Sequence, residues 1–394
     1  MSAFIIEGGH RLQGEIHPQG AKNEALQVIC ATLLTDGDVR LTNIPDILDV
    51  NNLIQLLRDM NVKVTHNGSG DFTFNAANVN LDYLHSQEFL QRCTRLRGSV
   101  LLVGPLLARF GRATLSKPGG DKIGRRRLDT HFFGMQKLGA QFRYDNEEGI
   151  FEIAADRLHG TYMLLDEASV TGTANIIMAA VLADGETTLE NAAREPEVVD
   201  LANFLISCGA QIEGHGSSTI RIKGVSSLRG TEYAIMADRI EAGTFLVAAG
   251  ITGGELLLKN CPFTELESVI AKLESMGLAI EQRPEGVLAR YQGVLRGADV
   301  KTRPYPGFPT DMQAQIMALM CLAEGSSMVE ESIFENRFMH VLELVRMGAD
   351  IKISGHTAMV RGVSRLTGAP VMACLLYTSP SPRDRPTSRM PSSA

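Results

Sequence analysis

The chain has 394 residues, 44% hydrophobic and 21% charged, with a net charge of -7 and a pI near 5.8. That length and composition suit two or three globular domains, each able to bury a core, and exclude a collagen-like or wholly disordered chain. The acidic balance excludes a globally basic nucleic-acid binder, though not a local basic pocket. The longest apolar runs, 99–108 and 245–251, fall short of the roughly 20 residues that span a bilayer.

The first fourteen residues carry no basic, apolar leader, so no secretory signal is expected. Six cysteines are scattered without CxxC or zinc spacing and mostly lie in apolar segments. They read as buried reduced thiols in a cytoplasmic protein. Nine histidines form no HxH or HExxH pair, so no metal site is expected.

In chain order, one plan recurs. A Leu-x-Gly triplet stands at 12–14, 158–160, 228–230, 295–297 and 366–368, the last four about 70 residues apart. Apolar helix-like stretches cover 24–34, 99–108, 174–183, 242–251 and 312–323. Each leads through a turn, such as Asp36-Gly37-Asp38, into a short β run at 39–41, 113–115, 187–189, 255–258 or 327–329. An amphipathic helix then ends in Met60-Asn61-Val62, Leu138-Gly139-Ala140, Cys208-Gly209-Ala210, Met276-Gly277-Leu278 or Met347-Gly348-Ala349. The small central residue fits a helix C-cap. An alternating strand such as 349–353 closes the unit.

Five such units are predicted, with a sixth opening at Leu366-Thr367-Gly368 and not continued. From Cys374 the chain turns Pro/Ser/Arg-rich with little apolar content, so 374–394 is expected to be a non-native, disordered tail, foreign to the repeat.

Several strings carry chemistry. Gly20-Ala21-Lys22-Asn23 puts a lysine where a helix starts. There it opposes the dipole unless an anion joins it; otherwise it is a solvated surface lysine. The stretch 91–99, with Arg92, Arg95 and Arg97, is an anion site or a solvated helix start. In 117–129, glycines permit a mobile loop, Asp121 sits at its tip, and Arg125, Arg126 and Arg127 follow. Clustered arginines suit phosphate and carboxylate; the alternative is a charged surface turn. Asp311, in Phe308-Pro309-Thr310-Asp311-Met312-Gln313, is a helix cap or a general base. The stretch 334–340 mixes charge with aromatics ahead of an amphipathic helix.

In this order these strings resemble the enolpyruvyl transferase family, specifically its members that act on UDP-N-acetylglucosamine. The resemblance runs from residue 1 to about 373. It is carried by 20–23, Pro118-Gly119-Gly120, the Glu-Asn-Ala-Ala-Arg-Glu-Pro-Glu run at 190–197, Asp238-Arg239-Ile240-Glu241, 308–315 and 334–340. It implies a mixed α/β (α+β) fold: a two-domain inside-out α/β barrel of repeated βαβαββ units, five of six present. One domain would be 22–235 and the other 1–21 plus 236–373 with its third unit incomplete, the active site lying between them.

The implied reaction adds a substrate 3-hydroxyl to C2 of phosphoenolpyruvate, protonates C3 and eliminates phosphate, with no cofactor and no metal. It is the first committed step of peptidoglycan synthesis, a cytoplasmic step serving cell-wall growth, shape and division. The implied partners are phosphoenolpyruvate and UDP-N-acetylglucosamine, with no nucleic acid and no membrane insertion. Carried over, Asp121, Asp311, Lys22 and Arg337 would be catalytic. Lys22, Arg97 and Arg126 would hold phosphoenolpyruvate, and Asn23 and Asp311 the sugar. Arg126, Arg127, Leu128, Asp129 and Thr130 would line the uridine site with Glu167, Ala168, Ser169 and Val170, and Ile333 would lie near the nucleotide.

Two departures stand out. The loop tip, often cysteine in the family, is Asp121 here, which implies protonation of C3 by a carboxylic acid and insensitivity to fosfomycin. Leu375 and Tyr377 stand where the family has Asp and Arg, and the absent sixth unit would leave neighbouring apolar faces uncovered. Two further readings are a truncated nucleotide-sugar-binding fragment without turnover and the related 3-phosphoshikimate 1-carboxyvinyltransferase. Lys22-Asn23 and the Asp121 loop argue against the second.

Overall fold

Each apolar run expected to be helical contains a buried helix: Lys22–Ala31, Val103–Phe110, Val170–Ala180, Arg239–Ile251 and Gln313–Met320. The computed structural model describes residues 4–116, 119, 123–146 and 149–372. Asp121, Leu375, Tyr377 and the tail expected over 374–394 lie outside the described residues.

These helices bury most of their surface. In Val170–Ala180 every residue from Gly172 to Ala180 is buried, so Thr173 and Asn175 need internal partners. The 99–108 run is not one α-helix. A 3-10 helix, Arg97–Leu102, precedes Val103–Phe110. Pro105 supplies the reason: it has no N–H for the Leu101 carbonyl and is tolerated only in a helix's first turn.

The recurrent C-cap is a left-handed residue. Gly139, Gly209, Gly277 and Gly348 have φ of 103°, 104°, 104° and 97°, and Asn61 fills the same position at 66°. Asparagine is among the few side chains that enter this region readily.

Among the described residues, five sheets follow from the repeat. In two of them one continuous stretch gives all four strands. Tyr162–Leu164 lies parallel to Glu186–Glu190 with the Val170–Ala180 helix between them in sequence, and Thr219–Lys223 and Gln211–Glu213 add antiparallel. Val300–Lys301, Ser326–Glu330, Thr357–Arg361 and Asp350–Ser354 repeat this order. Two more sheets recruit the parallel strand from far away in the chain. Glu232–Ala234 pairs with Val39–Thr42, and Gln13–Ile16 with Glu255–Leu258. The fifth sheet has, among the described residues, the three strands Arg112–Leu115, Ile150–Ala154 and Gln141–Asp145.

The chain divides into two compact units. The first comprises the described residues of 20–119 and 126–236, and the second those of 4–19, 123–125 and 237–372. Each has its own apolar core. No helix among the described residues is long and apolar enough to cross a membrane.

Candidate functional site

In the first unit, Lys22 opens its helix with no side-chain cap from Ala21. Lys22 is half-buried and Asn23 exposed. Behind them Glu24 is fully buried, and its Oε2 accepts the Met236 N–H at 2.8 Å. Burial, reinforced by Asp200, raises the Glu24 carboxyl well above its ordinary value, which favours its protonated form. The Lys22–Ala31 helix packs on the Arg97–Leu102 turn through Leu26. A Cβ on Gly98 would lie 3.2 Å from Leu26 Cδ1.

Arg97 heads that turn, and its Nη2 donates to the Arg126 carbonyl at 2.9 Å. Burial, and then the charge of Arg126, pull the Arg97 guanidinium down to about 10. It remains a cation near neutrality, in surroundings that would welcome an anion.

Arg127 and Asp129 are exposed, and Arg127 Nε donates to Asp129 Oδ2 at 2.5 Å. Leu128 is half-buried, and Thr130 is buried under the start of the next apolar helix. The Thr130 hydroxyl reaches Glu167 Oε1 at 3.4 Å. Ser169 caps the Val170–Ala180 helix by accepting the Gly172 N–H at 3.2 Å. Ala168, Ser169 and Val170 are half-buried, and Glu167 is exposed. A Cβ on Gly172 would stand 2.7 Å from Thr130 Cγ2, so only glycine allows the two helix starts to approach this closely.

In the second unit, Asp311 lies in the 3-10 turn Thr310–Met312 that runs into the Gln313–Met320 helix. Arg337 Nη2 meets Asp311 Oδ1 at 2.5 Å, and its Nη1 donates to Thr310 Oγ1 at 3.1 Å. Sequence reasoning missed the group that organises this pair. Glu331 is 1% exposed. It accepts from the Thr302 and Thr310 hydroxyls, each at 2.9 Å, and from the Ile333 and Phe334 N–H groups at 2.8 and 3.1 Å. One carboxylate thus fixes both the Asp311 turn and the half-buried Ile333 loop. Its signal in the sequence is the second of two acids in Glu330-Glu331, just past the end of a strand whose inward alternation of Ser327 and Val329 continues to Glu331.

Residues 123–125 also belong to this unit. The Arg125 N–H donates to Glu335 Oε1 at 2.8 Å, and the Asn336 N–H to the Ile123 carbonyl at 3.0 Å. Gly124 has φ of 144°, and a Cβ there would come within 2.4 Å of the Glu335 carboxylate. Residues 123–125 are therefore clipped to the segment that carries Arg337.

The cysteines among the described residues offer no activated thiolate. Cys30, Cys93, Cys208 and Cys321 are buried and Cys261 half-buried. Burial pushes Cys93 and Cys261 up to about 12 and Cys208 and Cys321 to about 11.

Comparison with known proteins places the chain in a family. Residues 6–375 match the family model described as EPSP synthase (3-phosphoshikimate 1-carboxyvinyltransferase). A UDP-N-acetylglucosamine 1-carboxyvinyltransferase of Nitratidesulfovibrio vulgaris is 55% identical over 97% of this chain and 90% of its own length. One from Bacteroides thetaiotaomicron is 50% identical over 92% of this chain and 86% of its own. Among solved structures, the enolpyruvyl transferase NikO from Streptomyces tendae aligns with a TM-score of 0.80 at 23% identity, covering 91% of this chain and 83% of its own. EPSP synthase from Acinetobacter baumannii aligns with a TM-score of 0.67 at 20% identity, covering 94% and 86%.

Proposed function

Because the chain belongs to the EPSP synthase family of enolpyruvyl transferases, we propose that it moves the enolpyruvyl group of phosphoenolpyruvate onto the 3-hydroxyl of UDP-N-acetylglucosamine. The observation that carries this reading is Arg97, a half-buried cation that donates to the Arg126 carbonyl and feels the like charge of Arg126, as a segment awaiting an anion would. The names of relatives at 50–55% identity support the sugar-nucleotide acceptor over a shikimate one.

Each residue then takes a chemical task. Lys22, Arg97 and Arg126 hold the phosphate and carboxylate of phosphoenolpyruvate, so the negative charge is already compensated when the reaction begins. Asn23 hydrogen-bonds the sugar. Arg126, Arg127, Leu128, Asp129 and Thr130, with Glu167, Ala168, Ser169, Val170 and Ile333, hold the nucleotide. Asp311 accepts the proton of the 3-hydroxyl as its oxygen bonds to C2, and Arg337 fixes that carboxylate's orientation. Asp121 delivers a proton to C3, completing a tetrahedral adduct. Loss of a proton from C3 and departure of phosphate from C2 restore the double bond. The product enters peptidoglycan synthesis in the cytoplasm.

The test is phosphate release from phosphoenolpyruvate by the 394-residue protein. Release that requires UDP-N-acetylglucosamine, is not supported by shikimate 3-phosphate and persists in fosfomycin is expected. An Asp121→Cys variant should turn over and become fosfomycin-sensitive, because a thiol at the loop tip can be alkylated. Release supported by shikimate 3-phosphate instead would assign the other acceptor. Nucleotide-sugar binding without any release would leave a binding fragment.

A further inference from the structure

Behind the anion-binding segments of the first unit lies a buried polar hub that the proposed reaction does not use. His131 is 2% exposed and Asn175 fully buried. Asn175 Oδ1 accepts the Gly104 N–H at 2.6 Å. A backbone N–H can only donate, so this bond fixes which end of the amide is oxygen. The Asn175 Nδ2 group then donates twice, to the Val100 carbonyl at 2.8 Å and to His131 Nδ1 at 3.0 Å. His131 Nδ1 must therefore be a bare acceptor. The ring proton sits on Nε2 and is donated to Thr171 Oγ1 at 3.0 Å.

The hub joins three segments already assigned to substrate. Val100 belongs to the turn that Arg97 heads, His131 follows Thr130, and Thr171 follows Ser169 and Val170 at the start of their helix. Burial, and then the charge of Arg97, hold the imidazole down to about 3, so it stays neutral beside the arginines. A protonated ring would aim an N–H at the Asn175 amide hydrogens and add a cation where Arg97 and Arg126 already repel.

We infer that His131, locked as the neutral Nε2–H tautomer by Asn175, is a positioning residue that sets the distance between the Arg97 turn and the Ser169–Thr171 helix start, and so the fit of the UDP-sugar. This rests on the reading of the first unit as the nucleotide-sugar binder. A rigid ring with an acceptor on one side and a donor on the other meets both demands.

The experiment compares the full chain with His131→Phe, which keeps a ring and loses both nitrogens, and His131→Gln, which keeps one acceptor and one donor. UDP-N-acetylglucosamine affinity is measured by calorimetry, and the wild-type imidazole nitrogens are read by NMR at neutral pH without ligand. We expect a bare Nδ1 and a protonated Nε2, an affinity loss of about tenfold or more in the Phe variant, and recovery to within about threefold in the Gln variant. An imidazolium or the opposite tautomer overturns the proposal. So does a folded Phe variant with wild-type affinity, or, where the Phe variant does not fold, a folded Gln variant no better than tenfold weakened. Wild-type protein that binds no UDP-N-acetylglucosamine would overturn the functional reading itself, and this role with it. Wild-type binding left unchanged by the Phe substitution would overturn the role alone.

Discussion

Burial shifts Glu24, His131 and His340 toward their neutral forms, and the effects on stability run in opposite directions. Glu24 is raised in the folded state by burial and Asp200. Its contribution is complete below its ordinary value and is lost as pH rises through the folded value. Glu24→Gln imitates the protonated acid: the amide oxygen still accepts from Met236, and the amide nitrogen replaces the shared proton facing Asp200. We expect the variant to lose the decline of the melting temperature that sets in as pH rises above the ordinary carboxyl value. A decline above the ordinary carboxyl value that is unchanged by the substitution would contradict a raised Glu24. His131 and His340 are lowered by burial to about 3 and about 4. The unfolded chain protonates both below the ordinary 6.5, while the folded chain resists. Their contribution is therefore complete above that value and lost as pH falls toward 4. Denaturant midpoints of the Glu24→Gln variant that stay flat between pH 7 and 4 would refute this.

At the scale of the element, two glycines answer to different forces. Gly139 sits at a helix end with φ of 103°, and nothing lies closer than 3.8 Å to a Cβ built there. Gly139→Ala should cost about 1 kcal/mol, from backbone conformation alone. Gly104 lies inside a helix against Asn175, and a Cβ there would come within 2.4 Å of the Asn175 carbonyl and 2.5 Å of its Oδ1. Gly104→Ala must displace one helix from the other and break the Asn175 bond, at a cost of about 2–3 kcal/mol. Urea unfolding of the two variants separates the cases, and equal losses would count against the packing argument. The C-caps were legible because a left-handed residue leaves a small-residue signature every time the unit recurs. The 3-10 start at Arg97–Leu102 was not, because the apolar pattern alone does not separate one kind of helical turn from another.

At the scale of the whole molecule, each unit has its own core and encloses its own strands. The first needs nothing beyond residues 20–236, since even the late strand Glu232–Ala234 pairs inside it with Val39–Thr42. A fragment spanning 20–236 is therefore expected to fold by itself, with a cooperative melt and dispersed amide resonances. A fragment with no cooperative melt would show that the unit depends on the rest of the chain.

The sequence by itself determined the repeat, the buried helices, the caps and the family. These follow from local periodicity and from strings whose residue types are constrained at fixed spacing. Lys22, Arg97, Arg126, Asp311 and Arg337 were legible as charged residues beside apolar helix starts. Only the tertiary structure decided which strands pair across the chain, as Gln13–Ile16 does with Glu255–Leu258. Only it revealed that Glu331 fastens the Asp311 turn and that Asn175 dictates the tautomer of His131. Glu24, Glu331, His131 and Asn175 look ordinary in sequence. A buried polar group acquires its role from the partners that fold around it, and in this chain each of these groups has a partner tens to hundreds of residues away.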